Sequence, residues 1–276
     1  MKAVRNKVLL YGLALFIIAF AIWGPEAFGR YQDKKILGKI HDQGVEGSSE
    51  GYRYTLSPNE KLYILSACLN SQTVAESEQS AWTREEDAES SYGKLEGNYA
   101  FIRNRKGTSG QQIGEDTLFD TCNAQLEELK KLEILPQNIR AVGPEAYEAE
   151  IYSAIDVLEP GNNVAVWKLG LSENRKDLDK TNRLMDAYID ADDGKIYEFY
   201  ARTSLSWEEI DTDEMISRYA GYLGLGKPSA HESDNPLLEA TPYYRKYEFS
   251  GMGGENTIVT IGFYEGINEL FLKISK

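Results

Sequence analysis

Hydrophobic and polar residues recur with different periods along this chain, and the changes of period mark its elements. From Val8 to Trp23 the run VLLYGLALFIIAFAIW is apolar without a charged residue. From Gly24 to Gly51 no period is sustained, and six glycines with Pro25 and scattered charges read as a flexible stalk. Helical spacing begins at LSPNEKLYILSACLN, where Ser57 reads as N-cap, Pro58 as the first helical residue and Glu60 as the close of a capping box. Leu62, Leu65 and Leu69 then share one face. The stretch VAESEQSAWTREEDAESS has few apolar positions and predicts an exposed loop or a loose helix.

A second helix is predicted from Asp116 to Leu135, with Leu118, Cys122, Leu126 and Leu129 at helical spacing and Pro136 beyond its end. The period then falls to two. Tyr147, Ala149, Ile151, Ser153, Ile155 and Val157 alternate with acidic residues, EPGNN reads as a turn, and Ala165, Trp167, Leu169 and Leu171 alternate again. A third helix is predicted from Asp211, capped by Asp211 with Glu214, to Gly224 or Gly226. Three strand-like runs follow: YYRKYEFS, NTIVTIGFYE and INELFLKI. Helix followed by strands thus occurs twice, at 116–201 and 211–275. The fold class expected is α+β: two tandem helix-plus-antiparallel-sheet units behind one N-terminal transmembrane helix. The expected boundaries are 1–23, 24–51, 52–205 and 206–276.

One stretch, DAYIDADDGKIYEFYAR, carries three aspartates just before a glycine, so it reads either as a metal site or as a tight reversal. A calcium loop counted from Asp190 puts Gly194 at position 5 and Ala201 at position 12, where oxygen ligands are required. A hairpin with Asp192, Asp193 and Gly194 as its loop pairs Ile189 with Tyr197, Ala187 with Phe199 and Met185 with Ala201, giving one apolar face. That register asks for a left-handed residue at Gly194. Asp192, Asp193 and Gly194 are therefore expected to be a structural turn.

Residues 188–196, Tyr-Ile-Asp-Ala-Asp-Asp-Gly-Lys-Ile, resemble the closing strand-turn-strand of PepSY-like extracytoplasmic domains, which reads Tyr-x-Val-Asp-Ala-x-Thr-Gly-Lys-Ile. Asp193 stands where the family has Thr, and the aromatic lies one residue closer to the Asp. The helix and strands at 116–201 are also similar to that fold, so the likeness spans about a third of the chain. It implies an envelope protein that inhibits, chaperones or regulates a partner, and it carries no catalytic residue over.

Charge narrows the partners. The chain has a net charge of −14, yet Lys2, Arg5, Lys7 and Arg30 against Glu26 make the first thirty residues basic. The remainder is then too acidic for a phosphate backbone, which excludes a nucleic-acid partner. Arg103, Arg105 and Lys106 read as a solvated turn. A basic segment before the apolar run predicts a cytoplasmic N-terminus and an extracytoplasmic remainder. Sixteen helical residues span about 24 Å, short of a hydrocarbon core of about 30 Å, a gap that Lys7 and Trp23 can close at the interfaces. Ala19-Phe20-Ala21 leaves a cleaved signal peptide open as the other reading. Both place the bulk of this bacterial-type chain outside the cell membrane.

Candidate chemistry is sparse. Cys68 and Cys122 are the two cysteines, and each falls in a helical pattern where a core thiol or a disulfide would serve. His41 lies in the stalk and His231 in a loop, and no zinc-hydrolase motif or G-x-S-x-G occurs. GLGKPSA reads as a helix C-cap followed by Pro228, since it ends a helix where a phosphate loop must begin one. No catalytic residue, metal or cofactor is assigned. Paired carboxylates on an envelope protein leave a carbohydrate-active enzyme as the enzymatic alternative. The tyrosines suit strands, and Tyr188, Tyr200, Tyr243, Tyr244 and Tyr247 are the candidates for a protein or glycan interface. The expected function is non-enzymatic: binding another envelope protein, a sensor kinase or peptidase, and tuning its activity.

Overall fold

A computed structural model describes residues 53–79, 98–104, 107–108, 111–175, 177–232 and 239–276; side chains of 72–79 are not described. The apolar run, the stalk and most of the acidic stretch after residue 79 lie outside these residues. Among the described residues no helix is long and apolar enough to cross a membrane.

The elements in chain order are α1 (Pro58–Gln79), β1 (Tyr99–Arg103), α2 (Glu115–Lys131), β2 (Tyr147–Asp156), β3 (Asn163–Leu171), β4 (Leu184–Asp190) and β5 (Ile196–Arg202). After a short 3-10 turn come α3 (Thr212–Leu223), β6 (Ser229–His231), β7 (Tyr244–Ser250), β8 (Asn256–Tyr264) and β9 (Glu269–Ser275). All strand pairs are antiparallel, in one sheet of order β1-β2-β3-β4-β5-β9-β8-β7-β6. The fold is α+β.

The two runs of helix then strands share this one sheet. Each run ends in a strand, β5 or β9, and these two pair with each other, so the hydrogen bonding crosses the expected boundary at 205/206. Residues 49–276 form one compact unit. Helices α2 and α3 run antiparallel: the Tyr222 hydroxyl donates to Gln125 Oε1 at 2.8 Å, while Arg218 donates to the Leu132 carbonyl at 3.1 Å. Antiparallel last strands and antiparallel helices give the two runs a local two-fold arrangement.

A row of buried apolar residues crosses five strands under these helices: Leu169, Ala187, Phe199, Leu272 and Ile261. The adjacent row, on the other face, reads Gly170, Asp186, Tyr200, Phe271, Gly262 and Tyr244. There Phe271 lies over Gly262, and a Cβ at Gly262 would collide with its ring.

Helix α1 begins where its capping box places it, with Ser57 N–H and Oγ each 2.7 Å from Glu60 Oε2. Leu62 through Cys68 are all buried, so about two turns of this helix are enclosed on every side. Its partners lie at one end of the sheet. Tyr54 N–H bonds Gly161 O in the β2–β3 loop, Asn59 reaches Ser250 O at the end of β7, Lys61 reaches Asp190, and Cys68 Sγ lies 3.4 Å from Ala100 O in β1. Ser66, Ala67 and Cys68 are small enough to allow that approach.

Four expectations are corrected. Helix α2 stops at Lys131, not Leu135, because Glu133 turns left-handed (φ 54°) and sends Ile134 and Leu135 back into the core. Strand β1 begins before Arg103, which ends a strand and pairs with Glu150 at 2.7 Å; five residues were too few to show a period. His231 ends the three-residue strand β6 and is not in a loop; it bonds Glu248 across the β6–β7 pair. Met185 and Tyr197 are bulged, so Leu184 pairs with Ala201 and Ile189 with Ile196, while Ala187 pairs with Phe199 as the hairpin register required. Third-helix capping follows the sequence: Asp211 accepts from Glu214 N–H at 3.0 Å, and Gly224 ends α3 in the left-handed region.

Candidate functional site

The acidic turn is built around Asp190, whose side chain has no exposure. Its Oδ1 accepts from the backbone N–H of Asp192 at 2.7 Å and of Asp193 at 3.4 Å, which curls the chain back on itself. Its Oδ2 accepts from Lys61 Nζ at 2.7 Å and from the Tyr197 hydroxyl at 2.5 Å. The bulge at Tyr197 accompanies that last contact. Gly194 sits at φ 77° and donates to Asp190 O at 2.9 Å. A Cβ there would lie 2.5 Å from Thr121 Cγ2 on α2, so the position is closed by sterics as well as by backbone conformation.

The other two aspartates meet cations of the same chain. Arg53 grips Asp192 with both terminal nitrogens at 3.1 Å, and Lys61 Nζ lies 3.7 Å from Asp192 and 3.8 Å from Asp193. Burial works to lower the Lys61 pKa, but the carboxylates of Asp190, Asp193 and Asp192 outweigh it and the net shift is upward. Burial, then the Asp190 charge, raises Asp193. Burial and Asp190 hold the Tyr197 phenol far above its ordinary value, so it stays a donor. With donors on both Asp190 oxygens, the turn spends its charge in tying α1 to the β4–β5 hairpin.

No family model, curated protein or solved structure matches the chain.

The candidate interface tyrosines separate. Tyr188 and Tyr200 lie on the sheet face opposite α2 and α3, both half-buried. Tyr188 meets Phe101 edge-on at 6.0 Å, Phe101 stacks on Tyr152 at 4.6 Å, and Phe271 stacks with Tyr200 at 5.6 Å and with Tyr264 at 4.8 Å. Tyr244 shares that face and lies 5.9 Å from Lys246. Tyr243 precedes β7 and packs near Trp207. Tyr247 is buried on the helix side, its hydroxyl donating to Asp213 at 2.7 Å, so it belongs to the core and to no surface.

Among the aromatics stand exposed Lys168, Asp186 and Lys273, and two buried acids, Glu198 and Glu269. The Tyr197 bulge takes Tyr197 out of register with Ile274, and Glu198 Oε2 accepts the Ile274 N–H at 3.0 Å in its place. Burial raises the Glu198 carboxyl to about 7, overcoming the Ile274 hydrogen bond and Lys273. Buried Glu269 is raised as well, and Asp186, though exposed at the surface, is raised by the protein mass around its carboxyl.

Sequence reasoning missed Lys61, Arg53 and Glu198. Lys61 had a visible signal, a lone charge that shares its helix stripe with Leu65 and Cys68. Glu198 had none, since strand alternation alone puts it on the solvent side.

Both thiols are buried and free, Cys68 against Ala100 O and Ile155 O and Cys122 in the α2 core. Burial pushes each up to about 12, which leaves them without thiolate character.

Proposed function

We propose that this chain is a membrane-anchored extracytoplasmic binding protein of a bacterial envelope, whose first helix-and-strand run, at 116–201, is PepSY-like. It engages another envelope protein, a sensor kinase or a peptidase, and modulates its activity. The observation that carries this reading is the belt of stacked aromatics with interleaved charges on the sheet face opposite α2 and α3. Half-buried rings beside exposed Lys168, Asp186 and Lys273 combine apolar area with polar tips, the composition that recurs at protein interfaces. The apolar run at 8–23 supports the anchor and the placement outside the cell membrane.

The test is in-cell photo-crosslinking of the full-length protein with the photoreactive residue at Tyr188 or Tyr200, and at Tyr247 as the buried control. One reproducible envelope protein attached from Tyr188 and Tyr200 and absent from Tyr247 is the expected result. Equal capture from all three positions, or none from any, refutes it.

A second reading, a cell-wall carbohydrate-active enzyme or glycan-binding module, draws on Glu198. A carboxyl raised to about 7 beside another raised acid, Asp186, is the pairing that glycoside chemistry uses. Turnover of cell-wall glycan that disappears in Glu198→Gln would establish it.

A further inference from the structure

At the end of the sheet away from α1 the structure holds a recess of about 590 Å³. Its floor comes from both halves of the molecule: Ile134 and Leu135 from the turn after α2, Met215 from α3 and Leu270 from β9. All four are buried, so the recess is bottomed on core side chains. Its rim carries Glu133, Glu209, Asp211 and Glu214, all exposed, against Arg218, the single cation among the described lining residues.

The cation is already engaged. Arg218 binds Glu133 and Glu214, each at 2.5 Å, and the Leu132 carbonyl at 3.1 Å. Glu209 closes a capping box with Ser206, and Asp211 caps α3, so both hold their places at the rim by backbone hydrogen bonds. The result is a fixed apolar floor under a surplus of negative charge, formed where the two helix-and-strand runs meet.

We infer that this recess docks a short segment of a protein partner that presents an apolar side chain flanked by Lys or Arg. The floor accepts the apolar group, and the rim carboxylates meet the cations without disturbing either cap. An acidic or uncharged apolar segment would leave the rim charges facing each other across a dewetted floor. This inference rests on the binding-protein reading and gives that partner's docking segment its chemistry.

The experiment uses the full chain in nanodiscs of zwitterionic lipid, with empty discs as control. The probe is a twelve-residue peptide of alternating Leu and Lys bearing one benzophenone; its Leu and Glu counterpart is the comparison. Mass spectrometry maps the adducts. The Lys peptide is expected to label recess residues such as Gln137, Leu205 and Met215, with labelling at least tenfold weaker in the double variant Glu133→Gln, Glu214→Gln. A control double variant on the other sheet face, Glu148→Gln with Glu173→Gln, should change it less than twofold. Adducts scattered over the acidic surface, equal losses in both double variants, or equal labelling by the Glu peptide would overturn the inference. If the recess stays unlabelled while crosslinks from Tyr188 and Tyr200 still capture one partner, the recess is refuted and the binding reading stands. If both fail, the binding reading falls with it.

Discussion

Replacing Glu198 by Gln should stabilise the folded chain at pH 8 and do little for it at pH 5. Burial raises this carboxyl from 4.5 to about 7, so the folded state holds its proton more tightly than the unfolded state does. The sign follows: between those two values the folded state binds more protons, and stability falls as pH rises. The loss is complete above the folded value. The gap between those two values corresponds to about 3 kcal/mol, the cost of carrying the charge in a site with one strong donor. Gln keeps a carbonyl oxygen for the Ile274 N–H and removes the charge, while its amide leaves up to about 1 kcal/mol of unsatisfied donor.

The variant should therefore gain about 2 kcal/mol over the parent at pH 8 and lose up to about 1 kcal/mol at pH 5. Urea unfolding of residues 49–276 under reducing conditions, followed by tryptophan fluorescence at several values from pH 5 to 8, measures the difference. Asp186 and Glu269 are raised too, so both proteins lose stability as pH rises. That shared slope cancels in the comparison, apart from the direct repulsion between Asp186 and Glu198. A difference between variant and parent that stays flat from pH 5 to 8 refutes the reasoning, because only an ionising Glu198 makes it change.

Lys61→Met leaves the fully buried Asp190 without its closest cation and should cost roughly 3–5 kcal/mol in urea unfolding. Asp190→Asn in the same chain should recover part of that, and two costs that simply add would contradict the pairing. Gly194→Val combines a left-handed backbone with a contact on Thr121 and should prevent folding or lower stability by more than about 2 kcal/mol, whereas Asp192→Asn breaks only a partly exposed pair and should cost under about 1 kcal/mol. Circular dichroism on both variants checks this, and equal damage would show that the charge, not the backbone, sets the turn. Cys68 and Cys122 should be silent to a thiol reagent at pH 8 in the folded chain and titrate as two groups once it is unfolded; a fast-reacting native thiol would contradict their burial.

Local chemistry was readable from the sequence wherever one segment decides its own structure. The capping box at Ser57, the N-cap at Asp211, the stop at Gly224 and the left-handed Gly194 need only neighbouring residues, and they stand where sequence spacing puts them, although the Glu214 carboxylate turns to Arg218 and leaves the second box half made. Strand pairing over distance was not readable. The β5–β9 pair joins residues about seventy positions apart, and no pattern in IYEFYAR or ELFLKIS names the other as partner. The bulge at Tyr197 was hidden for the same reason, since it answers to Asp190 and to α1. The candidate site follows this division. The turn was legible, the cations that neutralise it were not, and Tyr247 was misplaced because alternation identifies two faces without saying which one the helices cover.

The two ends of the sheet are built differently. Strands β5 and β9 close the two helix-and-strand runs and pair antiparallel, so the loops that feed them, at Asp190–Lys195 and at Glu265–Asn268, lie at opposite ends. The first loop is sealed by α1 through Lys61 and by the segment before α1 through Arg53. The second has no such helix against it among the described residues, and the recess with its acidic rim opens at that end, beside Leu270 at the start of β9. A charge removed at the sealed end leaves a buried partner unpaired, which is a cost in stability. A charge removed at the open end weakens only the part-exposed ion pairs of Arg218, which costs little in stability and, on the docking proposed above, acts on the bound segment. Substitutions that alter binding while leaving the unfolding curve in place should therefore cluster around Glu133 and Glu214, and those that do the reverse around Lys61 and Asp190.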